Sequence, residues 1–179
     1  MKKELVVLLV VIMVLSVFPV VALATPPDNV QGRWCYGFLV EGEHKIVGQN
    51  EFYDLDSSDA WLVDEGFLGF SGLSESYGWV KTQPSTGHTI LQTETFLDPV
   101  TVAGKTGTLE MRVSGWIPTG GGFPDYEGVW VITNGTGELA DLHGQGSWQN
   151  VELYHPDCLE LDEGYIASVT YEGSIHFED

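Results

Sequence analysis

Asp54-Leu55-Asp56-Ser57-Ser58 opens like a calcium loop, and Glu65 falls at its twelfth position. Calcium takes about six to eight oxygen ligands, several of which Asp54, Asp56, Ser58 and Glu65 could supply. Asp59, however, occupies the place of the turn glycine and the flanks read as strands, so an acidic solvated loop without metal is expected. Gly135-Thr136-Gly137-Glu138-Leu139-Ala140 spells a dinucleotide fingerprint in letters. A dinucleotide needs a helix next, with its N-terminus on the pyrophosphate, and Gly144 and Gly146 interrupt instead. Gly135, Gly137, Gly144 and Gly146 therefore read as a glycine turn motif, and no cofactor is implied. The five histidines show no zinc spacing, and no nucleophile elbow or Walker loop appears. Trp34, Trp61, Trp79, Trp116, Trp130 and Trp148 fall in strand-like runs, where core packing accounts for most of them. Aromatic mouths of small barrels also hold apolar ligands, and Tyr126, Trp130 and Ile132, on one strand face, are the candidate lining residues.

Such residues have to be positioned by strands, because no stretch after the first 24 residues sustains a helical apolar period. Tyr165 to Phe177 alternates strictly: Val169, Tyr171, Gly173 and Ile175 on one side, Thr170, Glu172, Ser174 and His176 on the other. Thr108 to Trp116 does the same, with Leu109, Met111 and Val113 opposite Glu110 and Arg112. Further strands are expected near 33–41, 44–54, 60–70, 75–82, 88–97, 126–133 and 145–153, about nine in all. The links are short and turn-like, at Gln83 to Gly87, Asp98-Pro99, Pro118 to Pro124 and Asn134-Gly135. Strands at this spacing leave no room for crossover helices, which predicts an all-β fold, a single antiparallel closed or nearly closed barrel of about eight or nine strands.

Lys2-Lys3, the apolar run Leu5 to Leu15 and the A-x-A pattern Ala22-Leu23-Ala24 predict a signal peptide over 1–24, with the barrel over 25–179. An uncleaved anchor is the alternative; either way the domain lies outside the cytoplasm, secreted, periplasmic or at the cell surface. Without Lys2, Lys3 and Glu4 the remainder carries 25 acids against 5 bases, a net charge of −20. That balance excludes a nucleic-acid binder and opposes docking on anionic lipid. Export permits Cys35 and Cys158 to pair, which would bring the two ends of the domain together; two buried free thiols are the alternative.

Val129 to Leu139, continuing through Leu142, Gly144 and Gly146, resembles a hairpin of the allene oxide cyclase and dirigent barrels. It is more closely similar to an uncharacterised bacterial family of small barrels with that fold, whose last strand ends like Tyr171 to Phe177. Gly32-Arg33-Trp34 is similar to the G-x-W of lipocalins, although no T-D-Y-type motif follows. The cyclase resemblance implies a calycin-like barrel. For chemistry it would imply cofactor-free rearrangement of a lipid-like substrate by a buried carboxylate, for which Glu94 is the best-placed residue of its run. Three functions stay open: a barrel holding a small apolar or amphipathic ligand, a cofactor-free isomerase or cyclase, and an acidic structural or protective domain without ligand.

Overall fold

A computed structural model describes residues 27–37, 40–117, 125–162, 164–165 and 167–178. The signal peptide expected over 1–24 and the Pro118 to Pro124 link expected from the sequence lie outside these residues. Nine strands follow in order: β1 Asp28–Tyr36, β2 Val40–Val47, β3 Asn50–Val63, β4 Phe70–Gln83, β5 His88–Val102, β6 Lys105–Ile117, β7 Glu127–Gly135, β8 Leu142–Leu153 and β9 Ala167–Phe177. A 3-10 turn, Gly137–Leu139, joins β7 to β8, and a six-residue helix, α1 Pro156–Leu161, joins β8 to β9. All the strand pairs are antiparallel, in the order β1-β9-β8-β7-β6-β5-β4-β3, and β3 returns to β1. The ring of eight is therefore closed, as the strand spacing predicts, and closure removes the unpaired edges that long strands otherwise expose. β2 lies outside the ring. It takes over the edge of β3 where β1 ends, since Tyr36 pairs with Asp59 and Val40 with Asp56.

The alternation in β6 and β9 survives intact. Leu109, Met111 and Val113, with Val169, Tyr171 and Ile175, are buried inside the barrel. Glycines set how the interior fills. A Cβ on Gly173 would collide with the Trp130 indole, one on Gly146 would lie 2.5 Å from it, and one on Gly128 2.5 Å from the indole of Trp148. Each indole thus lies flat against strand positions that have no side chain. Trp61, Phe70, Trp130 and Tyr171 form one aromatic cluster in the packed half, with ring centroids 5.1–6.5 Å apart. The Tyr171 hydroxyl accepts from the Phe70 amide at 2.8 Å and donates to the Leu62 carbonyl at 3.1 Å, fixing the β3–β4 link to the core.

Several boundaries differ from the sequence expectation. The acidic segment 54–59 is the middle of β3; the turns fall at Gly48-Gln49 and around Gly66. Asp98-Pro99, a cis peptide, sits within β5 at a bulge, and the true turn is Ala103-Gly104. Gly144 and Gly146 are strand residues of β8 and Gly135 is the last residue of β7, so of the glycine motif only Gly137 belongs to the link. Gly137, with φ of +64°, is the one of the four in the left-handed region.

Cys35 and Cys158 are disulfide-bonded across 123 positions, with Cα atoms 5.6 Å apart. Cys35 points out of the barrel, and the bridge ties α1 over the β1–β3 seam. Ala60, Leu62 and Tyr165 pack around it as a second, small apolar cluster. Proline at the first turn and the His155 side chain, which accepts from the Asp157 amide, start this helix.

Candidate functional site

The inward positions of β3 run Leu55, Ser57, Asp59, Trp61, those of β4 include Ser74 and Ser76, and those of β5 Thr93 and Thr95. Register makes them neighbours: Ser57 lies opposite Ser76, Asp59 opposite Ser74, and Ser76 opposite Thr95. Three adjacent strands thus turn small polar side chains into an interior that is otherwise apolar. Asp59 is fully buried at the centre of this group. Its Oδ1 accepts from Ser57 Oγ at 3.0 Å and its Oδ2 from Ser76 Oγ at 2.6 Å, with Ser74 Oγ at 3.5 Å. Trp61 Nε1 donates to Ser74 Oγ at 2.9 Å, and Ser76 and Thr95 hydroxyls are 2.8 Å apart. With all three serine protons turned to the carboxylate, Thr95 must donate to Ser76.

Burial pushes the Asp59 pKa up from the ordinary 3.8 to about 6. The hydrogen bonds from Ser76, Ser57 and Ser74 oppose that rise without cancelling it, and no cation among the described residues does so. The Trp34 indole N–H also lowers the value, yet it makes no bond of ordinary hydrogen-bond geometry and acts as a nearby dipole. Burial likewise raises the Tyr36, Tyr126 and Tyr165 hydroxyls, which stay neutral donors at physiological pH.

Above the carboxylate, towards the β6–β7 end, is a cavity of about 100 Å³. Ser57 and Ser76 form its polar floor, Trp34, Tyr36, Tyr126 and Trp148 supply aromatic walls, and Leu55, Val80, Leu91 and Val169 complete it. Thr93, also in its wall, has a buried hydroxyl with no partner among the described residues, as do the Trp34 and Trp148 indoles. The space exists because β3 and β4 present the small side chains of Ser57 and Ser76 here while the opposite wall carries indoles. A larger concavity of about 950 Å³ lies outside the barrel, where Phe67 overhangs Val129, Val131, Gln145 and Ser147. It is open sheet surface and holds none of the buried polar groups, whereas Ser57, Ser76 and the unpartnered Thr93 hydroxyl line the enclosed mouth cavity, which is the candidate site.

The residues expected from the sequence are distributed differently. Tyr126 lines the cavity, but Trp130 and Ile132 are in the packed core below it. Glu94 is on the outer face, half-exposed and paired with Arg112 Nε at 2.9 Å, because β5 turns its even positions outward. Among the described residues the buried carboxylate is Asp59. Asp54, Asp56 and Ser58 alternate along the outer face of an extended strand, too spread out to converge on one ion, and Glu65 is in the following turn. Among the described residues no cluster of His, Cys, Asp and Glu could hold a metal. Asp59 is hard to see in the sequence because its acidic and serine neighbours resemble a loop. The available signal was period-2 continuation from Leu55 to Trp61 through Ser57 and Asp59.

No family model matches the chain, and no curated protein matches it. In fold it is similar to a protein of unknown function of the DUF3224 family from Shewanella oneidensis, with a TM-score of 0.58. Identity is 14%, and the likeness covers 86% of this chain and 98% of that one. At that identity the likeness shows a shared barrel and no chemistry, and it does not extend to the allene oxide cyclase or calycin assignment.

Proposed function

We propose that the chain is an exported barrel that binds a small amphipathic molecule in the mouth cavity. The observation that carries this is the cavity itself: apolar walls converging on a hydroxyl floor backed by a buried carboxylate, with an unpartnered Thr93 hydroxyl in the wall. Buried polar atoms are ordinarily satisfied, so an orphan beside a cavity marks the place for a partner. Export is supported by the basic n-region, the apolar run and the A-x-A pattern, and the disulfide is compatible with it. The size limits the ligand: about 100 Å³ is well below the roughly 300 Å³ of drug-sized sites. A lipid-like molecule would bury only one end. The isomerase alternative would need Asp59 to reach a substrate proton, and Ser57 and Ser76 stand between its oxygens and the cavity.

Native mass spectrometry of the protein purified from its own host tests the reading. A retained small molecule, released on unfolding, is the expected result. A barrel that arrives empty, and whose Trp34 and Trp148 indole N–H signals do not move with millimolar 1-butanol, n-butylamine or butanoate, would be a structural domain without ligand.

A further inference from the structure

We infer that the molecule held in the mouth cavity is a small protonated amine, with Ser57 and Ser76 as the contacting acceptors and Asp59 as the counter-charge behind them. The inference rests on the binding reading above and adds the chemical class. Its first support is hydrogen-bond polarity. Ser57 and Ser76 spend their protons on Asp59, so the cavity floor offers oxygen lone pairs and no donor. Ser76 accepts one further bond from Thr95, leaving one site, and Ser57 keeps two. The group that fits this floor must donate. Second, the floor is polarised by a full charge that no cation among the described residues balances. Arg33 and Arg112 form ion pairs on the outer surface, Lys45 pairs with Glu43 there, Lys105 lies over the Phe177 ring, and Lys81 follows the cavity-lining Val80 in β4 and so takes the outward alternation. A buried carboxylate without a cation is costly, and a ligand ammonium is the group that offsets it.

Third, the walls are aromatic. Trp34, Tyr36, Tyr126 and Trp148 surround the space with aromatic rings, whose faces attract positive charge. One face of Trp34 is covered by Trp61, stacked at 5.2 Å. Finally, a chain of net charge −19 draws cations towards its clefts and repels carboxylates and phosphates.

The groups facing Asp59 determine how binding responds to pH. They are Ser57 and Trp61 on β3, Ser74 and Ser76 on β4, Trp34 and Tyr36 on β1, and Tyr165 after α1. Tyr36 and Tyr165 remain neutral across the acidic and neutral range, as does Tyr126 at the mouth, so Asp59 is the group that changes charge there. An alkylamine stays protonated throughout. Titrating n-butylamine, 1-butanol and butanoate into the protein, with the indole N–H signals as readout, gives the test. At pH 7.5 the amine is expected to bind about tenfold or more tighter than the alcohol, and butanoate not at all. The preference should shrink at pH 5 and vanish in Asp59→Asn, which keeps the alcohol. Should that variant not fold, the pH arm on the native protein decides. Alcohol binding as tightly as amine, or a preference that ignores both pH and Asp59→Asn, would overturn the amine while leaving the binding reading standing. No binding by any of the three overturns both.

Discussion

Burial raises the Asp59 pKa because the charged form loses water and recovers only hydroxyl hydrogen bonds in exchange. The consequence for stability has a definite sign. Between 3.8, where the unfolded carboxyl ionises, and about 6, where the native one does, the native state holds a proton that the unfolded chain has released. Native stability therefore falls as pH rises through that window, by about 3 kcal/mol in all. Asp59→Asn has no charge to bury. Relative to the native protein it should gain about 3 kcal/mol more stability at pH 7.5 than at pH 3.5. Urea unfolding of both proteins at the two pH values measures this, and any cost of the new amide cancels in the difference. A variant whose stability difference is flat with pH would mean that Asp59 is not the buried ionising group. Nothing in the letters around Asp59 sets it apart from Asp56, which is exposed on the outer face three residues earlier. Only strand register separates the two, and register is set by partners far along the chain.

Strands were legible where their inside is apolar and their outside polar. β9 and β6 alternate cleanly, so both their extent and the faces they present could be read directly. β3 could not be read that way, because its inward residues Ser57 and Asp59 are as polar as its outward Asp56 and Ser58. A polar inward run is what a lined cavity requires, so the sequence rule failed at the candidate site itself. β8 shows the opposite difficulty: its glycines suggest turns, whereas Gly146 gives up its side chain to seat the Trp130 indole of the neighbouring β7 and Gly144 lies against Ile132 and Ile175. Gly146→Ala tests that packing. The added Cβ would meet the Glu172 carbonyl oxygen and lie 2.5 Å from Trp130 Cζ2, with backbone on one side and a large ring on the other. Overpacking of this kind costs about 1–3 kcal/mol, read as a lower denaturation midpoint. Gln145→Ala, on the neighbouring exposed position, should stay within about 0.5 kcal/mol. Equal effects at the two positions would show that the glycine is not required for the indole.

Closure of the whole sheet was deducible from two facts of sequence: many strands with no covering helices, and one cysteine near each end. Which strand would meet which was not, since β2 intervenes in sequence yet lies outside the ring. The disulfide acts at this largest scale. It joins β1 to the helix that precedes β9, and β1 is the strand that closes the ring by pairing with both β3 and β9. A bridge across 123 positions removes loop freedom from the unfolded chain worth about 4–5 kcal/mol in entropic models. The same bond holds α1 over Ala60 and Leu62, so its removal also loosens that small apolar cluster. Replacing Cys35 and Cys158 together by alanine should therefore cost about 2–5 kcal/mol by urea unfolding. Amide exchange localises the effect. Protection is expected to fall first in α1, which has few other contacts, while β9 keeps its ladders to β1 and β8. A loss below about 1 kcal/mol, or protection falling equally in α1 and β9, would place ring closure in the strand ladders alone and leave the bridge without a part in it.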